Sequence, residues 1–234
     1  MKHTLLIKDW LSSFLSLLFP RCCVVCGRPL AKGEECICTV CNINLPRTNY
    51  HLRKDNPVER LFWGQIPLER ATSFFFYEKG SDFRLILHRL KYGGQKEIGA
   101  IMGRYMAAEL LSSNFFQGID VIIPIPLHKK KQQIRGYNQS EWIARGIAAV
   151  TGIPIDTESI LRKKNTETQT RKSVFERRNN VEGIFELQHP EILAGKHILI
   201  VDDVLTTGST TLACASCLVD VEGIQISILT LATA

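Results

Sequence analysis

Two adjacent aspartates, Asp202 and Asp203, follow an apolar run from Ile198 to Val201. A turn of small hydroxyl residues and a glycine comes next: Thr206, Thr207, Gly208, Ser209 and Thr210. An apolar, helix-compatible stretch follows. These residue types suit a phosphorylated sugar. Carboxylates accept hydrogen bonds, so an adjacent pair matches vicinal hydroxyls, which donate them. A small-residue loop opening a helix offers backbone N–H groups and the positive end of the helix dipole to a phosphate. The apolar run must then be a buried strand. The site must lie at its carboxyl end, where open α/β sheets bind ligands.

A second chemistry sits near the amino terminus. Cys22, Cys23, Cys26, Cys36, Cys38 and Cys41 fall close together, and Cys23/Cys26 and Cys38/Cys41 have the Cys-x-x-Cys spacing. Each such pair puts two thiolates on one tight turn, and two turns close a tetrahedron around Zn²⁺. Pro29 and Gly33 suit the chain reversal between them. The expected ligands are Cys23, Cys26, Cys38 and Cys41. Cys22 or Cys36 is near enough to replace a neighbour, although buried or free thiols are the preferred reading for both. Four thiolates leave no open position, so the metal is expected to be structural. Cys214 and Cys217 repeat the spacing within the stretch after the loop, where they read as small buried apolar residues.

The elements that must position these groups follow from periodicity. Ser73–Tyr77, Asp120–Pro126 and Ile224–Leu231 read as strands; Asp82–Leu90, Glu97–Leu111 and Gln139–Val150 read as helices. Alternating strands and helices predict an α/β fold, a mostly parallel twisted sheet with flanking helices. The expected organisation is an amino-terminal helix and zinc-finger-like module over 1–45, a polar linker over 46–66 and the main domain over 67–234. Trp10–Phe19 is apolar, but a membrane span needs about 20 residues. Leu11, Phe14, Leu15 and Leu18 make it an amphipathic helix; an acidic residue just before the run and the lack of a small-x-small cleavage site argue against the alternative, an export signal. A cytoplasmic protein without a membrane span is therefore expected. Lys and Arg total 29 against 23 Asp and Glu, a formal charge of +6. That excess suits anionic ligands. It concentrates in two basic segments, 124–141 and 162–181.

The Asp202–Thr210 segment resembles the binding loop for 5-phosphoribosyl-1-pyrophosphate (PRPP) in type I phosphoribosyltransferases. The resemblance implies that Asp202 and Asp203 hold the ribose 2- and 3-hydroxyls and that Thr206 to Thr210 wrap the 5-phosphate. Enzymes of this class acting on 6-oxopurines usually carry a further acidic residue where Thr206 stands, which argues against hypoxanthine or guanine as acceptor. More widely, the paired cysteines, Leu90-Lys91-Tyr92-Gly93-Gly94, Pro124-Ile125-Pro126-Leu127, Arg135-Gly136-Tyr137-Asn138-Gln139, Gln169-Thr170, Arg177, Asn180-Val181 and the Asp202 loop resemble the ComF family. That family joins a zinc-finger-like module to a type I phosphoribosyltransferase-like domain and is associated with DNA uptake in competence. The likeness implies that Pro124, Ile125, Pro126, Leu127 and His128 form a pyrophosphate loop. It also puts Arg135 to Gln139 near the mouth of the site. Lys129 and Arg135 are the expected pyrophosphate contacts. The implied reaction is attack by a nitrogen nucleophile or water on Mg²⁺-bound PRPP, displacing pyrophosphate. No general base for an acceptor is evident. The rival reading is a non-catalytic PRPP sensor or single-stranded-DNA binder on the same scaffold, with Tyr137 and Phe175 as stacking platforms.

Overall fold

The computed structural model describes residues 20–163 and 183–234. The helix expected at 10–19 lies outside them. So do Phe175 and all of the second basic segment after Lys163.

In chain order the elements begin with two short helices, α1 (Thr39–Ile43) and α2 (Pro57–Arg60), and strand β1 (Leu68–Phe76). Helices α3 (Arg84–Tyr92) and α4 (Glu97–Leu110) lead to β2 (Val121–Pro124). Then come α5 (Lys129–Arg135), α6 (Gln139–Thr151) and two short strands, β3 (Ile160–Arg162) and β4 (Phe185–Leu187). The chain closes with α7 (Pro190–Leu193), β5 (His197–Leu205), α8 (Ser209–Ser216) and β6 (Gln225–Thr233). Among the described residues, β1, β6, β5 and β2 form a four-stranded sheet in that order, and all its pairings are parallel. β3 and β4 make a separate antiparallel pair. This is the mostly parallel, helix-flanked sheet that the periodicity predicts.

Alternate side chains on a strand point to opposite faces. Ile122, Leu199, Val201, Leu229 and Leu231 join one core with residues of α3, α4 and α6. Val121, Ile123, Ile198, Ile200, Ile226 and Ile228 join another with residues of α8. Burial on both faces explains why these strands read as unbroken apolar runs. No helix among the described residues is long and apolar enough to cross a membrane.

Two strands differ from expectation. β1 starts at Leu68 rather than Ser73, because its polar first half pairs along β6. β5 does not end at the acid pair. It runs to Leu205 because β6 continues beside it, with Asp202 opposite Thr230 and Leu205 opposite Thr233. Residues 46–66 carry local structure of their own. Pro57 opens α2, whose preceding residue, Asn56, completes a capping box with Glu59. Val58 and Phe62, four residues apart, are buried in the same core as α8. The cysteine-rich segment is also packed in: Val24, Cys36, Ile37 and Leu45 share a core with Met102, Met106 and Leu110.

Candidate functional site

β2 stops pairing with β5 at Pro124, opposite Val201. Beyond that point β5 has a partner only on its β6 side among the described residues, and Asp202 and Asp203 occupy this open stretch. Both carboxyls are partnered by helices of one core. Ser140, in the first turn of α6, donates its hydroxyl to Asp202 Oδ1 at 2.9 Å. Lys91, in the last turn of α3, places Nζ 3.1 Å from Asp203 Oδ1. Burial, then the neighbouring Asp203 charge, pushes the Asp202 carboxyl up to about 7; the Asp203 N–H, the Ser140 hydroxyl and Lys91 oppose that rise. Close carboxylates resist carrying two full charges together.

After the acid pair the loop turns at Gly208, whose φ is 74°. That left-handed conformation costs glycine little. A Cβ here would also stand 3.3 Å from the Phe62 ring, so Phe62 forms the floor of the loop. Thr206, Thr207 and Thr210 are exposed. The Thr207 and Ser209 hydroxyls lie 2.8 Å apart. The loop thus leads into the amino end of α8 with its hydroxyls outward, the arrangement suited to a phosphate.

The segment Pro124–His128 leaves β2 beside this site. Asn138, which caps α6, donates its side-chain amide to the Ile125 carbonyl at 3.0 Å. One helix turn therefore ties this segment, through Asn138, to Asp202, through Ser140. Pro124, His128, Lys129 and Arg162 help line a cleft of about 480 Å³. Arg135 does not line that cleft; its guanidinium lies over the Tyr92 ring, 5.4 Å from the centroid, and donates to Gln139 Oε1 at 2.8 Å. Burial lowers the Lys131 pKa, and the neighbouring cations Arg162, Arg135 and Lys91 add to the shift. Positive charge therefore converges from α3, α5 and β3. Arg162 also feels the Asp202 carboxylate, against the stronger effect of its own burial.

Sequence reasoning singled out the acid pair, its loop and the basic segments. It missed Ser140, Lys91 and Phe62 as parts of the site. Lys91 carried one usable signal, its place just before the Gly93-Gly94 helix stop. Ser140 and Phe62 carried none, since their contacts exist only after folding. Asp203 is already neutralised by Lys91, and Asp202 is held partly protonated. The pair therefore suits hydroxyl donors better than a bare cation.

The four cysteines of the paired motifs come together. Their Sγ atoms all lie within 4.8 Å of one another, and those of Cys26 and Cys38 are 3.7 Å apart. A zinc–sulfur bond of about 2.3 Å implies tetrahedral S···S edges of roughly 3.8 Å, so the site fits zinc. The backbone N–H and guanidinium of Arg28 hold the Cys26 thiol down at about 6 against its desolvation, while burial pushes the Cys41 thiol up. Cys36 faces the other way: its thiol approaches Met102 Sδ at 3.8 Å, and burial pushes its pKa up to about 12. Cys22 is exposed and directed at the Pro20 carbonyl. Cys214 is fully buried, as expected of a core residue.

A family model described as a phosphoribosyl transferase domain matches residues 139–234. The DNA utilization protein YhgH of Escherichia coli O157:H7 is 32% identical over 209 residues, 83% of this chain and 88% of that protein. The competence protein ComFC of Bacillus subtilis is 26% identical over 216 residues, 90% of this chain and 83% of that protein. Among solved structures, the adenine phosphoribosyltransferase of Leishmania tarentolae aligns at 12% identity and a TM-score of 0.38, over 81% of this chain and 94% of that one. The last is a loose likeness in trace alone.

Proposed function

The chain belongs to the ComF family, and from that premise we propose that it binds Mg²⁺–PRPP and transfers the phosphoribosyl group to an acceptor, releasing pyrophosphate. The observation that carries this reading is the acid pair on the open stretch of β5, followed by a hydroxyl loop at the amino end of α8. Asp202 and Asp203 accept from the ribose 2- and 3-hydroxyls. Thr206, Thr207, Gly208, Ser209 and Thr210 enclose the 5-phosphate with backbone N–H groups and hydroxyls. Pro124 to His128 border the pyrophosphate, with Lys129 and Arg135 as its cationic contacts. Bound Mg²⁺ supplies further charge neutralisation on the leaving pyrophosphate. The chain's own part is to orient the ribose and to gather cations where negative charge grows as the glycosidic bond breaks. The names of the similar proteins support a role in handling DNA taken up by the cell.

Calorimetric titration of PRPP with Mg²⁺ into the zinc-loaded protein tests the reading. Binding in the micromolar range is expected, followed by pyrophosphate release once the right acceptor is supplied. An absence of binding overturns it. Binding without turnover across an acceptor screen would instead select the non-catalytic sensor.

A further inference from the structure

Gln139 is the first residue of α6 and is 2% exposed. Its side-chain oxygen accepts from Arg135 at 2.8 Å. Its side-chain nitrogen is buried and has no hydrogen-bond partner among the described residues. Turning the amide over does not cure this, because it would set the –NH₂ group against the Arg135 guanidinium, donor against donor. The orientation is therefore fixed, and a buried donor is left without an acceptor. Native proteins seldom tolerate that unless a ligand or water completes the bond.

The surroundings say which acceptor is wanted. α6 is thirteen residues long, and its amino end carries a positive dipole. The residues on either side reach the two halves of the proposed site: Asn138 bonds the Ile125 carbonyl, and Ser140 bonds Asp202. Arg162, Arg135 and Lys91 lie close enough to Lys131 to add to the effect of its burial, so cations gather around this helix end. Helix α5, which carries Arg135 over Gln139, has no buried residue, so shifting it disrupts little packing.

We infer that Gln139 is a contact for the pyrophosphate half of the substrate. Its side-chain N–H donates to a phosphoryl oxygen, while its carbonyl oxygen holds Arg135 in place for the same group. This rests on the PRPP reading above and adds a neutral donor to the cationic contacts already assigned.

Three probes are titrated into the zinc-loaded protein in MgCl₂: PRPP, inorganic pyrophosphate and ribose 5-phosphate. Gln139→Glu keeps the acceptor for Arg135 and removes the donor; Gln139→Leu removes both. Each variant is expected to lose roughly tenfold or more in affinity for pyrophosphate and PRPP, the range for a hydrogen bond to a charged group. Affinity for ribose 5-phosphate should not change. Pyrophosphate affinity that stays at the wild-type level in both variants overturns the inference, and so does an equal loss for all three ligands, which marks a structural role. If wild type binds PRPP normally in either case, the functional reading stands without Gln139. Wild type that binds neither PRPP nor pyrophosphate removes both.

Discussion

Near neutral pH, Asp202 and Asp203 together carry fewer than two full charges, because burial and the adjacent carboxylate raise Asp202 to about 7. The groups facing it are Asp203 beside it, Ser140 from α6, Lys91 from α3, Arg162 from β3 and the Cys214 thiol from α8. Ribose hydroxyls prefer the ionised carboxylate as acceptor. PRPP affinity should therefore strengthen as pH rises from 6 to 8. Asp202→Asn should lose the part of that rise that comes from the protein, leaving only the titration of the ligand's phosphates. The effect on folding has the opposite sign. A carboxyl raised by folding contributes its full share below the ordinary aspartate range near about 4, and that share is lost as pH climbs through about 7. Asp202→Asn should then weaken PRPP binding yet raise the thermal midpoint of the ligand-free protein at pH 8. A variant that binds PRPP like wild type across this range would remove Asp202 from the site. Asp203→Asn, which releases Lys91, should cost about 10- to 100-fold in PRPP affinity with the fold intact.

Helix α6 and its cap supply Asn138, Gln139 and Ser140, so its seat on α4 bears directly on the site. The two helices meet backbone to backbone. A Cβ on Gly146 would fall on the Ala100 carbonyl oxygen, and one on Gly103 on the Ile143 carbonyl oxygen. Neither contact can be relieved by turning a side chain. Gly146→Ala should thus destabilise by about 1–3 kcal/mol, the usual cost of overpacking, and should also weaken PRPP binding by moving the first turn of α6. Urea midpoints and PRPP titrations check both effects; unchanged midpoints would mean the helices separate freely. Phe62→Ala opens the floor under Gly208 and should cost about 3–5 kcal/mol. It should loosen the phosphate loop as well, seen as weaker binding of ribose 5-phosphate. What the sequence shows and hides divides along these lines. The acid pair and its loop are legible because they are contiguous, and α3, α4 and α6 are legible because their apolar periods are regular. The first half of β1 is hidden because Glu69 and Arg70 interrupt its apolar pattern at the sheet edge, where charged side chains find solvent. Residues 46–66 look like a linker because their polar majority masks Val58 and Phe62, the two that anchor them. Lys91 and Ser140 belong to the site through pairings that only the tertiary fold creates.

The cysteine-rich segment shares one core with the rest of the described chain, so each should depend on the other. Ile37 and Cys36 lie in the same apolar cluster as Met102, Met106 and Leu110 of α4. Arg104 of α4 pairs with Glu35, so an ion pair also crosses the junction. A segment as small as 20–45 buries too little apolar surface to fold alone, and a structural metal commonly supplies the missing free energy. Stripping the metal should therefore loosen one wall around α4 as well as the module itself. Because α4 seats α6, the disturbance should reach Ser140 and Asp202. Chelation under reducing conditions is expected to release about one zinc per chain, to lower the midpoint of a single unfolding transition, and to reduce PRPP affinity. The cysteines separate the metal's role from simple packing. Cys38→Ser should abolish zinc binding and reproduce the chelated state. Cys36→Ala should keep the zinc and lose only the stability of a filled core position, since that thiol packs on Met102 rather than on the other sulfurs. Metal content by mass spectrometry, read beside calorimetric unfolding of both variants, decides between these roles. Two separate transitions after chelation, with the later one unmoved, would show that the module folds independently and that its cysteines do not act on the site through α4.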